Sequence, residues 1–91
     1  MFENIRLKKI LQGNSNRNRA ALKVMRELGF SMPNIRLAIL KLNDLAQKDI
    51  AAGQVSLATL SNTVKGVRNN EVAQGLVADN LGLTVSELFA E

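Results

Sequence analysis

The sequence predicts an all-α fold, and three features of its composition and spacing support this prediction. The chain has 91 residues, 46% of them apolar, so it can bury a core of modest size. Its only aromatic residues are three Phe, and such a composition suits helices better than a β-sandwich or barrel. Apolar residues also recur at helical spacing between repeated helix-start and helix-stop signals.

Residues 1–30 are predicted to form a basic helical N-terminal arm. We expect a short basic amphipathic helix over 5–11, a polar loop over 13–18, and a helix over 19–28 that Asn18 caps. Gly29 is expected to end this helix, and Phe30 to fold back onto its apolar face.

Residues 31–91 are predicted to form a compact bundle of five short helices. These helices are expected over 33–43, 44–53, 56–66, 71–81 and 85–90. Asp44 with Gln47, and Thr84 with Glu87, have the spacing of capping boxes, and Ser56 is a further N-cap residue. The second and third helices are short and joined by few residues, so they must cross steeply, as in a helix-turn-helix.

Four segments of the chain carry a family resemblance. They are the predicted helix from Val55 to Gly66 (VSLATLSNTVKG), the segment 47–52 (QKDIAA) before it, the polar loop 68–70 (RNN), and the closing segment 81–89. In this order they resemble the phage repressor/Cro-type, lambda-repressor-like helix-turn-helix family over residues 34–91. The resemblance implies a double-stranded DNA-binding fold with 55–66 as its recognition helix. One departure is Gln54, which stands where the family usually has Gly.

The predicted recognition helix combines an apolar inner side with small and amide groups on its outer side. Val55, Leu60 and Val64 are expected to face the core. The residues left to read DNA bases are Ser56, Leu57, Ala58, Ser61, Asn62 and Lys65. Small side chains allow close approach to the major groove, Ser and Asn can hydrogen-bond to base edges, and 54–70 contains no carboxylate. The alternative is a poorly charged helix that packs against another protein.

Other residues are candidates for contacts with DNA phosphates. The resemblance assigns such a contact to Gln47, which can equally serve as a simple cap. Lys65 and the loop residues Arg68, Asn69 and Asn70 can bind flanking phosphates or form an ordinary solvated loop.

Basic residues are concentrated at the front of the chain. Residues 1–36 hold eight basic and two acidic side chains, whereas 37–91 hold four basic and six acidic ones. This asymmetry indicates either a polyanionic partner or ordinary solvated helix faces. Four basic residues of this N-terminal part either extend the DNA footprint or keep the protein soluble: Arg17, Arg19, Lys23 and Arg26.

We expect a homodimer, because proteins of this fold usually read two half-sites about one helical turn apart. The candidate residues for the dimer seam lie in the arm and are Ile10, Leu11, Leu22, Met25 and Leu28.

Several classes of function are disfavoured. The chain has no Cys and no His, so we expect no metal site, no cofactor and no enzymatic activity. No apolar run approaches the length of a membrane span, and the first residues lack the long apolar stretch of a secretory signal, so we expect a cytoplasmic protein. No small-molecule effector is evident.

The sequence therefore predicts a transcriptional regulator, of the phage or prophage repressor kind, that binds specific DNA sequences. The alternative is an antitoxin or another protein-interaction module on the same fold, which exposed apolar residues on the arm would favour. RNA binding is a weaker variant, since few aromatic side chains are available to stack on unpaired bases.

Overall fold

The chain folds into six helices in a computed structural model that describes the backbone of residues 2–90 and the side chains of residues 15–90. The helices are α1 (Phe2–Glu27), α2 (Met32–Leu42), α3 (Gln47–Ala51), α4 (Leu57–Val64), α5 (Glu71–Leu81) and α6 (Val85–Phe89). Every regular element of the described backbone is helical, so the all-α prediction is confirmed. The lambda-repressor-like arrangement of these helices stays a prediction.

The first helix differs most from the prediction. α1 runs unbroken from Phe2 to Glu27, so the predicted loop over 13–18 and the predicted cap at Asn18 are wrong. Asn18 is 2% exposed, and its Nδ2 donates to the Leu81 carbonyl at 2.9 Å. The Ser15 hydroxyl donates to the Gly82 carbonyl. These polar residues therefore bond to carbonyls at the end of α5, which offsets their weak helix propensity.

The second half of α1 belongs to the core of the chain. Its residues pack against α2 and α5, and Leu22 is buried while Met25 packs partly against the core. Of the predicted dimer-seam residues, Leu22 is buried, Met25 is half-buried and Leu28 is exposed, and the seam itself stays a prediction. The side chains of Ile10 and Leu11 lie outside the described residues. The division of the chain at residue 30 stays a prediction.

The end of α1 also corrects a local expectation. The helix ends before Gly29, whose φ is +88°, and the Phe30 amide donates to the Met25 carbonyl at 3.1 Å. This is a Schellman-type turn, as the glycine predicts. The Phe30 side chain nevertheless remains 54% exposed, so the prediction that it folds back onto α1 is wrong.

The core lies between α2 and the helices that follow it, with one residue from α1. Its buried apolar members are Leu22, Ile35, Ile39, Leu40, Ile50, Ala51, Leu60, Val64, Ala73, Val77, Ala78, Leu81, Leu83 and Leu88. Every helix contributes at least one of them, so the short helices α3 and α6 are held by burial of a few side chains rather than by their own length.

The predicted capping box of α3 is wrong. Asp44 has a left-handed backbone with φ of 54°, and its amide donates to the Lys41 carbonyl at 3.0 Å. The next amide, of Leu45, donates to the Leu40 carbonyl at 3.0 Å. Asp44 therefore ends α2 in a Schellman turn, a position that Asp tolerates better than most residues. α3 begins only at Gln47, after Ala46, which offers no side-chain cap.

The capping box of α6 is confirmed. The Thr84 hydroxyl accepts from the Glu87 amide at 3.1 Å, and the Glu87 carboxylate accepts from the Thr84 amide at 3.0 Å. The same carboxylate forms an ion pair with Arg19 of α1, in which Nη2 lies 3.1 Å from Oε1. The hydrogen bond from Arg19, followed by that from the Thr84 backbone, lowers the pKa of Glu87 to about 2.

This lowered pKa predicts an acid-dependent loss of stability. The contribution of Glu87 is fully present above the ordinary pKa of about 4.5 and is lost as pH falls towards 2. We expect Glu87→Gln to lower the urea midpoint at pH 6 and to reduce its further decrease between pH 5 and pH 2. Glu71→Gln, which changes a first-turn glutamate of α5, is the matched control. An unchanged pH dependence in Glu87→Gln would contradict the prediction.

Candidate nucleic-acid interface

The helices α3 and α4 form a pair of short helices joined by a tight turn. The connection covers residues 52–56, and both Ala52 and Gly53 have a left-handed backbone, with φ of 45° and 78°. The Gln54 amide donates to the Ala51 carbonyl at 2.8 Å, which closes the turn. α3 therefore ends at Ala51, two residues before the predicted stop at Gly53. α4 packs against α2, α3 and α5, so its inner side is fixed by the rest of the chain.

The start and the inner side of α4 agree with the sequence. The Ser56 hydroxyl accepts from the Thr59 amide at 3.1 Å, which confirms Ser56 as the N-cap. Leu60 and Val64 are fully buried. Val55, which was expected to face the core, packs partly against it. α4 thus presents one side to the core and leaves the other towards solvent.

The residues predicted to read bases differ in exposure. Ser56, Leu57, Ala58 and Lys65 are exposed, whereas Ser61 and Asn62 are half-buried. Near Asn62 the chain folds back beside α4, because the amides of Val67 and Arg68 both donate to the Asn62 carbonyl, at 2.9 and 3.2 Å. The role of all six residues in reading bases stays a prediction.

The predicted phosphate-binding residues lie at both ends of this helix pair. Gln47 is the first residue of α3 and is half-buried, while Arg68 and Asn69 are exposed in the loop after α4. Asn70 is the N-cap of α5, and its Oδ1 accepts from the Ala73 amide at 3.0 Å. The side-chain oxygen of Asn70 therefore has a structural partner within the chain.

The basic residues of the arm lie on a different helix. Arg17, Arg19, Lys23 and Arg26 are all exposed on α1, and Arg19 is bound to Glu87 of α6. Among the side chains that the structure describes, no hydrogen bond joins these four residues to α4. Their contribution to a DNA footprint stays a prediction.

The charge around α4 favours an anionic ligand. No acidic residue occurs between Asp49 and Glu71, and Lys65 and Arg68 are exposed in this stretch. Arg68 does not extend freely from its loop, since its Nη1 donates to the Thr59 hydroxyl at 3.2 Å. The guanidinium therefore lies beside the first turn of α4.

Two residues that shape this region, Thr59 and Arg36, were not predicted from the sequence to do so. Thr59 was not among the predicted site residues, and its bond to Arg68 depends on the backbone turn after α4. Arg36 was counted among the eight basic residues of 1–36, which suggested an exposed side chain, yet it is 2% exposed. The burial of Arg36 could have been predicted, because helical spacing places it between Ile39 and Leu40 on the apolar side of α2.

Arg36 connects the ends of two helices inside the core. Its Nε donates to the Val64 carbonyl at 2.7 Å, and its Nη1 donates to the Leu88 carbonyl at 2.8 Å. Its guanidinium also lies over the Phe89 ring, 4.6 Å from the centroid. Because positive charge is favoured at helix C-termini, this residue fixes the end of α4 against α6.

A mostly apolar groove lies next to the start of α3. Its volume is about 500 Å³, and its lining residues are Leu37, Ala38, Leu40, Lys41, Leu45 and Gln47. Across the described residues, no group of three or more potential metal ligands is present. Within the same part of the chain, no helix combines the length and the apolar character that crossing a bilayer requires. Comparison with protein-family models, curated proteins and solved structures found no match.

Proposed function

We propose that this chain is a transcriptional regulator that binds double-stranded DNA and reads the major groove with the outward side of α4. One observation carries the proposal: the six outward residues of this side are exposed or half-buried, most of them have small or amide side chains, and none is acidic. A short helix with small outward side chains can approach the edges of base pairs closely. By lying in the groove, such a protein blocks access to a promoter, as a repressor of the phage type does.

Affinity and specificity would have different sources in this arrangement. Contacts from Arg68, Asn69 and Gln47 to phosphates would supply most of the affinity and its dependence on salt. Ser61 and Asn62 offer hydrogen bonds to base edges, and each good base contact contributes about 1–3 kcal/mol of discrimination. A homodimer would place two copies of α4 on successive half-sites.

The first test requires a DNA sequence that the protein itself selects. Duplexes bound from a random pool would supply that sequence, and a scrambled duplex of equal length the non-specific reference. We expect binding to both to weaken with increasing salt, with higher affinity for the selected duplex. A chain that enriches no sequence and shows no salt-dependent binding would contradict the proposal.

Replacing Asn62 with alanine tests the base-reading role. We expect Asn62→Ala to weaken binding to the selected duplex by roughly 5- to 100-fold and to leave binding to the scrambled duplex nearly unchanged. Fluorescence anisotropy titrations measure both affinities. The matched control is Asn16→Ala, which removes an exposed amide from α1. An equal decrease on both duplexes would show that Asn62 does not read a base.

A specific observation also supports a protein partner. Val24, Leu28 and Phe30 are exposed by 53%, 70% and 54% near the end of α1. Exposed apolar residues on the arm are the feature expected of an antitoxin or another interaction module on this fold. A partner that co-purifies with the chain in the absence of salt-dependent DNA binding would favour this second candidate.

A further inference from the structure

We propose that Thr59 is a positioning residue that holds the guanidinium of Arg68 for one phosphate at the border of the major groove. Thr59 is not among the residues expected to contact DNA. The inference rests on the proposed function and adds to it a mechanism by which the surface of α4 is prepared before DNA arrives.

The backbone around Arg68 is fixed by the end of α4. Gly66 has φ of +79°, and its amide donates to the Thr63 carbonyl at 3.1 Å. A Cβ at this position would lie 3.3 Å from Nη2 of the buried Arg36, so both conformation and space favour glycine. The turn that follows brings the Arg68 amide to 3.2 Å from the Asn62 carbonyl. Arg68 thus starts from a defined point beside the outward side of α4.

The side chain of Arg68 then runs back towards the start of the helix. Its Nη1 reaches Oγ1 of Thr59, which lies three residues before Asn62. Thr59 is itself held, because the Ser56 hydroxyl donates to Oγ1 at 2.8 Å and accepts from the Thr59 amide at 3.1 Å. The N-cap of α4 therefore orients the residue that orients Arg68.

This arrangement forms a donor group that suits a phosphate. The guanidinium has five N–H donors, of which the bond to Thr59 uses one. The other N–H donors of the guanidinium remain available for the oxygens of one phosphate. Binding then immobilises a side chain that Thr59 already holds.

The test compares two substitutions at Thr59. Thr59→Val keeps the shape but removes the hydroxyl, and Thr59→Ser restores it. We expect Thr59→Val to weaken binding to selected and scrambled duplexes equally, by roughly threefold to tenfold, and Thr59→Ser to bind nearly as the wild type does. The N-cap should survive in both, since it uses the backbone amide of residue 59. If Thr59→Val does not fold, Thr59→Ala removes the same hydroxyl.

A double-mutant cycle with Arg68 shows whether Thr59 acts through it. We expect Arg68→Ala to weaken binding to both duplexes and to reduce the salt slope by about one. In the Arg68→Ala background, Thr59→Val should have no further effect on DNA affinity. A purely structural role for Thr59 would instead give the same decrease in both backgrounds.

Each contrary outcome overturns a different statement. Wild-type affinity in Thr59→Val, or full additivity with Arg68→Ala, would overturn the positioning role while the proposed function stands. A loss confined to the selected duplex would show that Arg68 reads a base rather than a phosphate. If the wild-type chain itself bound no DNA, the proposed function would fail, and this inference with it.

Discussion

Replacing Arg36 with methionine is expected to lower the free energy of unfolding by about 3–5 kcal/mol. Arg36 is 2% exposed, and its guanidinium donates to the carbonyls of Val64 and Leu88, at 2.7 and 2.8 Å. Methionine fills part of the space but donates nothing, so both carbonyls lose their bond to Arg36 in a site that water scarcely reaches. The substitution also removes the cation from the face of Phe89.

Two further variants make this prediction specific. Arg36→Lys keeps the charge but offers one compact ammonium in place of a planar fork, so we expect an intermediate loss. Arg26→Met removes an exposed arginine from the last turn of α1 and should change stability by less than about 0.5 kcal/mol. Urea unfolding followed by circular dichroism measures all three. A methionine variant as stable as the wild type would show that apolar packing compensates fully for the lost bonds.

The parts of the fold that the sequence predicts well are those that local chemistry decides. Asn70, Gly82 and the Thr84–Glu87 box determine the bounds of α5 and the start of α6 through bonds within a few residues. Ser56 determines the start of α4 in the same way. At such positions the residue that gives the signal also makes the bond, so reading the sequence is sufficient.

Other residues carry a signal that fits more than one structure. Asn18 has the chemistry of a cap or a loop, but the carbonyl that it satisfies belongs to Leu81. Asp44 resembles an N-cap of α3 and instead ends α2, because left-handed backbone and capping favour the same residue types. For Asn18 the deciding contact is a tertiary one, and residues near it along the chain do not specify that contact.

In the candidate interface, too, some features follow from the sequence alone and others depend on the folded structure. The outward residues of α4 follow from helical spacing once Leu60 and Val64 are assigned to the core. The position of Arg68 does not, because it depends on the turn at Gly66 and on a bond to Thr59. Spacing therefore predicts which side of α4 is available, whereas the turn after it decides where the positive charge lies.

Replacing Asn18 with leucine is expected to lower the free energy of unfolding by about 2–3 kcal/mol. Leucine has nearly the same shape, so the loss comes from hydrogen bonds rather than from a cavity. The Leu81 carbonyl would lose the donor at 2.9 Å, and the reciprocal bonds between Asn18 and Asn43, at 2.8 and 3.2 Å, would be broken. The Asn43 amide keeps its bond to the Ile39 carbonyl, which limits the loss.

The same variant tests how α1 relates to the rest of the chain. If residues 1–30 were an arm that folds apart from the helices after it, Asn18→Leu would leave their unfolding unchanged. The matched control is Asn16→Leu, which alters an exposed asparagine two residues away on the same helix and should be nearly neutral. Thermal unfolding of both variants beside the wild type distinguishes the cases. A single cooperative transition that shifts only in Asn18→Leu is expected, because the buried amide joins α1 to α2 and α5.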